Sequence, residues 1–192
     1  QDGGVISSPC PYKITGAIII GPKKIACDLE ISGTNYTVGI TGNLWVVGDI
    51  DIKNSPTIRL DSSFGNLGAV IVADNSANPN DSGKISLQNS AYFEGSGNPD
   101  SYILFISQNR SAENGGSNVA IDIKNTVSGD LLIYASHGAI TMQNAINLRE
   151  VTAYKIYLKN TATVIYQTGL INLFFDSGPS GGYEILDWKE IE

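Results

Sequence analysis

Only a few residues of this chain are of the types on which most enzyme mechanisms depend. The sequence has a single His, two Cys and a single Met. This composition excludes most thiol, zinc and histidine-based chemistry. His137 has no Ser or Cys partner at a recognisable spacing, so a structural histidine at a corner is favoured over a catalytic base. We expect no catalytic residue, no metal site and no cofactor.

Carboxylates are the remaining candidates, because paired Asp and Glu residues cleave glycosidic bonds in many enzymes. Asp49 and Asp51, with Asp122 on an equivalent strand, alternate with Ile and are expected to share one outer face. Sugar cleavage would need a dense acidic group beside an Arg, whereas the arginines of this chain lie in separate segments. A solvated polar face is therefore favoured over a catalytic pair.

The composition also excludes several classes of binding protein. The 192 residues carry a net charge of −7, and only 16% of them are charged. Lys and Arg are scarce and scattered, which excludes a basic face for nucleic acid. The longest apolar runs, residues 17–20 and 170–175, are far too short to span a membrane. The length fits one domain with a substantial core.

One short pattern recurs along the chain: an aliphatic residue or Met, then Lys or Gln, then Asn, then a small or β-branched residue. Asn and Gly enter the left-handed backbone region most readily, so the third position marks a corner where the chain changes direction. The marker positions, including two degenerate early copies with Gly, are Gly16, Gly33, Asn54, Asn89, Asn125, Asn144 and Asn160. The intervals between them are 17, 21, 35, 36, 19 and 16 residues.

Short alternating strands precede these corners, and further apolar segments lie on either side. Several strands per unit of 16–21 residues predict an all-β fold, a single-stranded right-handed parallel β-helix (β-solenoid) of about seven coils with a C-terminal cap. Stacked corner asparagines are expected to form side-chain ladders. A β-sandwich or jelly roll also has short strands, but it gives no reason for one corner pattern to recur. Residues 1–40 form the first coils of this single domain, 41–175 the main coils and 176–192 the cap.

Cys10 and Cys27 are 17 residues apart, which is the length of one coil. Residues one coil apart lie roughly 4.8 Å from each other in a stack, which is within the range that a disulfide needs. We therefore expect a disulfide that links the first two coils, with two free buried thiols as the alternative.

Two long intervals indicate insertions, residues 74–83 and 108–118, at the same corner of neighbouring coils. Insertions on a solenoid commonly carry its binding face, but loops that are merely tolerated at the surface are slightly favoured, with a binding face as the alternative. Residues 74–81 also offer oxygen donors for Ca²⁺, but they lack the spacing of a known calcium loop. The candidate binding residues in the two insertions are Asp74, Asn75, Asn78, Asn80, Asp81, Asn109, Arg110, Glu113, Asn114 and Asn118.

Several segments together resemble β-solenoid domains of bacterial surface proteins of the pilus-assembly or minor-pilin-like type. The resemblance covers most of residues 40–192 and rests on structural motifs at residues 42–50, 68–74, 95–97, 101–104, 166–170 and 188–191. Such proteins carry an N-terminal pilin-like hydrophobic helix before the solenoid. The chain begins at Gln1 rather than Met, which is interpreted as processing or truncation, with membrane anchoring through a missing N-terminal segment as one alternative for the native protein.

These observations predict a non-enzymatic structural or adhesive domain, associated with type IV pili or a similar appendage on a bacterial surface. Its expected partners are other pilus or cell-surface proteins, or surface glycans, and no nucleic acid. The alternative is a secreted β-helix that binds or cleaves carbohydrate. The polar, weakly charged surface and the Cys pair favour an extracellular location.

Overall fold

The chain forms a coil of short parallel strands in the computed structural model, which describes residues 3–144, 146–164 and 174–175. A single 3-10 turn, Ser62–Phe64, interrupts the strands of this part of the chain. In chain order, the strands are β1 (Val5–Ile6), β2 (Tyr12–Ile14), β3 (Ile18–Ile20), β4 (Lys23–Ile25), β5 (Leu29–Ser32), β6 (Thr37–Ile40), β7 (Leu44–Val46), β8 (Ile50–Lys53), β9 (Thr57–Leu60), β10 (Leu67–Ala73), β11 (Ile85–Gln88), β12 (Tyr92–Glu94), β13 (Ile103–Ser107), β14 (Val119–Lys124), β15 (Ser128–Gly129), β16 (Leu131–Gln143), β17 (Asn147–Leu148), β18 (Glu150–Lys159), β19 (Thr163–Val164) and β20 (Phe174–Phe175).

Successive strands take three faces in turn. Face A contains β1, β4, β7, β10 and β13, and face B contains β2, β5, β8, β11 and β14. The long strands β16 and β18 bend through a corner and continue both faces. Face C contains β3, β6, β9, β12 and β15, and the pair β17–β19 packs beside β15. Coils 1 to 5 are therefore β1–β3, β4–β6, β7–β9, β10–β12 and β13–β15, coil 6 is β16–β17 and coil 7 is β18–β19.

The register of face B matches the predicted repeat. Its strands pair Ile14 with Ile31, Ile52, Leu87, Ile123, Met142 and Leu158 in succession, which reproduces the intervals of 17, 21, 35, 36, 19 and 16 residues. Every strand pair in the described part of the chain is parallel. The prediction of a parallel β-solenoid with about seven coils is confirmed, and the sandwich alternative was wrong. The right-handed sense stays a prediction, and the predicted cap at 176–192 lies outside the described residues.

The core fills the inside of the solenoid with rows of apolar side chains, in which the inward-facing residues of paired strands stack from one coil to the next. The face B row is almost fully buried from Ile14, at 4% exposure, to Met142, at 0%. In the middle coils, Phe93 of face C meets Phe105 of face A edge to ring, with their centroids 5.3 Å apart. Both phenylalanines are fully buried, so they join two faces across the interior.

The first two coils are joined covalently. Cys10, between β1 and β2, forms a disulfide with Cys27, between β4 and β5, and their Cα atoms are 5.8 Å apart. The neighbouring pair Tyr12 and Leu29 has the same offset of 17 residues, so the two cysteines occupy equivalent corners of adjacent coils. The predicted disulfide is confirmed.

The corner after face B has the predicted asparagine ladder. Its asparagines adopt φ values between 56° and 68°, and the Ser or Thr that follows three of them is also left-handed. From Asn89 to Asn160, each amide nitrogen donates to the amide oxygen of the asparagine one coil before it, at 2.9 Å from Asn125 to Asn89 and 2.8 Å from Asn144 to Asn125. The prediction was wrong at Gly16, whose φ is not positive, so the left-handed corner is absent from coil 1.

Replacing Asn125 by Val is expected to lower the free energy of unfolding by about 1–2 kcal/mol. A β-branched residue is strained at a φ of 57°, and the substitution removes both ladder hydrogen bonds of the Asn125 amide. Urea denaturation measures the change. Asn66→Val is the control, because Asn66 is exposed and has no positive φ. Equal stability of the two variants would show that the ladder contributes nothing.

Candidate functional site: the paired loops

Two insertions rise from one corner of coils 4 and 5. Residues 74–83, which we call loop A, follow β10, and residues 108–118, loop B, follow β13. These strands pair in register up to Ala73 and Ser107, so the two loops leave the solenoid side by side. The expectation that they emerge from one edge and touch each other is met.

Asn109 holds the two loops together. Its side chain is completely buried, and its amide nitrogen donates to the backbone carbonyls of Asn80, at 3.1 Å, and Ser82, at 2.8 Å. Its amide oxygen accepts a hydrogen bond from the backbone N–H of Ser111 at 3.0 Å. One side chain therefore satisfies backbone groups of both loops, which a buried amide must do to avoid a desolvation cost.

A second group of contacts surrounds this buried amide. The hydroxyl of Ser107, also buried, donates to the carbonyl of Gly83 at 2.6 Å and accepts from the Asn109 N–H at 3.2 Å. The backbone N–H of Arg110 donates to the carbonyl of Pro79 at 2.7 Å. Loops A and B therefore form one folded body rather than two independent excursions of the chain.

Amide side chains also cross between the loops at the surface. Asn118 donates to the Asn80 carbonyl at 2.8 Å and to a carboxylate oxygen of Asp81 at 2.9 Å. Asn114 donates to the side-chain oxygen of Asn80 at 2.8 Å. Asn80 thus accepts hydrogen bonds through both its backbone and its side chain, and these bonds fix the exposed rim of the paired loops.

Each loop is also attached to a coil on its outer side. Asp49 of coil 3 accepts hydrogen bonds from the Ser82 hydroxyl at 3.3 Å and the Lys84 N–H at 3.0 Å, and it pairs with the Lys84 ammonium at 3.3 Å. On the other side, the Glu113 carboxylate lies 3.0 Å from Nδ1 of His137 in coil 6. The paired loops therefore span four coils, and His137 contacts the Glu113 carboxylate of loop B at a corner of coil 6.

The predicted binding residues fall into three groups by exposure. Asn109 is buried and positions the loops, so its side chain is not accessible to a ligand. Asp74, Asn75 and Asn118 are half-buried. The exposed members are Asn78, Asn80, Asp81, Arg110, Glu113 and Asn114. The exposed candidates therefore present three planar amides, two carboxylates and one guanidinium, whose chemistry is hydrogen bonding rather than apolar contact.

The acidic residues of face B are held in ion pairs with lysines. Lys53 lies 2.5 Å from Asp51 and 3.3 Å from Glu30, and Lys124 contacts Asp122 in the same way as Lys53 contacts Asp51. Hydrogen bonds from Lys13 and Lys53 lower the pKa of Glu30 below its usual value. Asp51 and Asp122 do lie in the same outward-facing row of face B, but Ser86 of the intervening coil lies between them.

Asp49 immediately precedes β8 and continues the alternation of half-buried Asp with buried Ile that includes Asp51. It accepts a hydrogen bond from Ser82 of loop A, and its own N–H donates to the Asp28 carboxylate at 2.8 Å. Among the described residues, no group of three or more His, Cys, Asp and Glu side chains is placed to hold a metal ion. The face B acids Glu30, Asp51 and Asp122 are half-buried and paired with lysines, and one carboxylate oxygen of Asp122 is buried without a hydrogen-bond partner.

One polar pair on face C escaped sequence analysis. Arg59 of β9 binds Glu94 of β12, its register partner one coil away. Their separation of 35 residues equals the interval between Asn54 and Asn89. Applying the repeat interval to charged residues, and not only to the corner positions, would have identified this contact.

Comparisons with protein-family models, with curated proteins and with solved structures found no match for this chain. Within the described ranges, no helix has the length and apolarity to cross a membrane.

Proposed function

We propose that this chain is a non-enzymatic structural and adhesive domain of a bacterial cell-surface protein, associated with a type IV pilus or a similar appendage. The observation that carries the proposal is the single raised polar body formed by loops A and B on an otherwise regular stack of coils. Solenoids present extended surfaces from a stiff scaffold, and insertions at one corner supply a localised contact site. The paired loops are that contact site.

The chemistry of the paired loops supports a polar partner. Asn80, Arg110 and Asn114 are exposed and surrounded by hydrogen-bonding groups, without a large apolar anchor among them. Such a surface fits a glycan or a hydrated protein surface better than an apolar partner. The disulfide between Cys10 and Cys27 is consistent with an extracellular location, where such bonds persist.

Replacing both loops by a short corner is expected to remove binding and to leave the fold intact. The template is the corner of coil 6, Ser136-His137-Gly138, in which β16 passes from face A to face B without an insertion. The assay measures adhesion of the labelled domain to bacterial cells and to arrayed surface glycans, with circular dichroism as the folding control. Normal binding by a well-folded double replacement would contradict the proposal and locate the contact on the flat faces.

Single-loop replacements provide an internal control for that experiment. Removing loop A alone deprives the buried Asn109 amide of both its carbonyl acceptors. We therefore expect the single replacement to bind no better than the double replacement, because loop B then lacks the hydrogen bonds that hold it in place.

A carbohydrate-cleaving activity is the competing function. To test for this activity, the intact domain is incubated with the same glycans, and the products are assayed for new reducing ends and for unsaturated sugars. The adhesive proposal expects no turnover, and turnover at a rate that depends on the domain would overturn it.

A further inference from the structure

A second candidate site lies on face C, away from the paired loops, and it begins with a glycine. In the outward-facing row of this face, the register stacks Ile19, Gly39, Arg59 and Glu94 on successive coils. Gly39 lies inside β6, where a glycine weakens a strand because it supplies no side chain to pack. Its presence there calls for a physical reason.

Neither backbone conformation nor crowding requires a glycine at position 39. Its φ lies outside the left-handed region, and a Cβ placed there would have its nearest neighbour, Cγ1 of Ile19, at 3.4 Å. Other residues could therefore occupy the position with little adjustment. What Gly39 does provide is an opening in the row between Ile19 and Arg59, and glycines inside strands often mark places where a ligand approaches the backbone.

The opening is part of a groove of about 310 Å³. This volume lies at the lower end of the roughly 300–1,000 Å³ of small-molecule sites. Gly39 contributes the floor, Ile19 and Arg59 stand on either side, and Asp61 and Ser62 of the turn after β9 close one end. Ile19 is 72% exposed, so it offers the groove an uncovered apolar wall.

The polar groups of the groove are preorganised. The Nε of Arg59 donates to Glu94, a contact that fixes the plane of the guanidinium and raises the pKa of Arg59. Asp61 accepts a hydrogen bond from the backbone N–H of Ser63 at 2.9 Å, and hydrogen bonds from Ser63 lower the pKa of Asp61. The side wall at Arg59 and the end at Asp61 therefore remain charged and fixed in orientation.

These features select among ligand classes. Glu94 neutralises Arg59, and Asp61 adds a negative charge in a chain whose net charge is −7, so phosphorylated or carboxylated ligands are repelled. A pyranose ring has an apolar C–H face and adjacent hydroxyls that both donate and accept. Ile19 can pack against the C–H face of the sugar, and the Asp61 carboxylate and Arg59 guanidinium can form hydrogen bonds with its adjacent hydroxyls.

We propose that the groove at Gly39 binds one neutral pyranose unit of a surface glycan, independently of the paired loops. Gly39 leaves the space, Ile19 receives the apolar face of the ring, and Arg59 and Asp61 bind its hydroxyls.

The test is a titration of the full chain with neutral gluco-, galacto-, manno- and N-acetylglucosamine oligosaccharides, followed by amide chemical shifts in NMR. We expect saturable shifts around Gly39, Arg59 and Asp61 with at least one sugar, and weaker binding by about tenfold or more in Gly39→Val. A uronate oligosaccharide should bind more weakly than its neutral counterpart.

Gly16→Val is the matched control, because Gly16 is exposed, has no positive φ and has no atom near its missing Cβ. It should bind sugar as the unmodified chain does. Gly39→Val should keep or raise the melting temperature, since valine is the better strand former. Absence of saturable binding to any neutral sugar, shifts confined to other residues, or unchanged affinity in Gly39→Val would each overturn the proposal.

Discussion

Replacing Phe105 by Ala is expected to lower the free energy of unfolding by about 3–5 kcal/mol. Phe105 is fully buried, and it packs against Phe93 from a different face with an angle of 81° between the ring planes. The coils above and below are held in place by their backbone hydrogen bonds, so the solenoid cannot collapse into the space that the ring leaves. Urea denaturation of the two proteins measures the difference.

Tyr134→Ala on the same face provides the control for this change. Tyr134 is 39% exposed on the outer surface of β16, so it leaves no internal cavity when truncated. We expect a change within about 1 kcal/mol, as for other surface substitutions. Similar losses from the two substitutions would mean that the interior of the coil is not tightly packed at Phe105.

Replacing Cys10 and Cys27 by Ser is expected to destabilise coil 1 by about 3 kcal/mol, while the rest of the solenoid stays folded. The strands of coil 1 are only two or three residues long, so few backbone hydrogen bonds hold this coil to coil 2. The disulfide closes the 17-residue separation between the two coils and limits the freedom of coil 1 when it opens.

Hydrogen exchange distinguishes a local effect from a global one. The double Ser variant should show exchange faster by about a hundredfold at the amide of Tyr12, which donates to the Asp28 carbonyl of coil 2, with unchanged protection at Leu87 in β11. The oxidised native protein is the reference. Equal acceleration in both strands would show that the disulfide stabilises the whole domain, and no acceleration would show that coil 1 is stable without it.

The coil register could be predicted from sequence because the corner is chemically selective. Most residues other than Asn and Gly are strained in the left-handed region. Asn89, Asn125 and Asn144 therefore identify the corner in the sequence even where insertions change the interval between successive corners. The strand positions then follow from their alternation. The same rule failed at Gly16, because a glycine also occurs where no positive φ is needed.

The internal structure of the site was harder to predict. Whether Asn109 is buried between loops or exposed on one of them depends on contacts with Asn80 and Ser82, which only the folded pair of loops creates. The Arg59–Glu94 pair likewise depends on a register that must be known first. Residue types therefore indicated the location of the paired loops but not the roles of their members.

The stacking of coils makes the mechanical strength of the domain depend on the direction of pulling. A force along the solenoid axis would detach terminal coils one at a time, because the strands of coils 1 to 7 pair only with strands of the coils next to them, apart from the pairing of β20 with β10 of coil 4. A force parallel to the strands would instead shear all the hydrogen bonds of a rung at once. At the N-terminal end, a pulled chain would pass its load through the disulfide from Cys10 to Cys27, so residues 11–26 would not carry it.

The paired loops change this behaviour in the middle of the stack. Their contacts reach from Asp49 in coil 3 to His137 in coil 6, so they brace these coils against separation from each other. A partner that pulls sideways on the loops would distribute its force over four coils. The domain is therefore built to withstand traction at its proposed contact site better than tension applied at its ends.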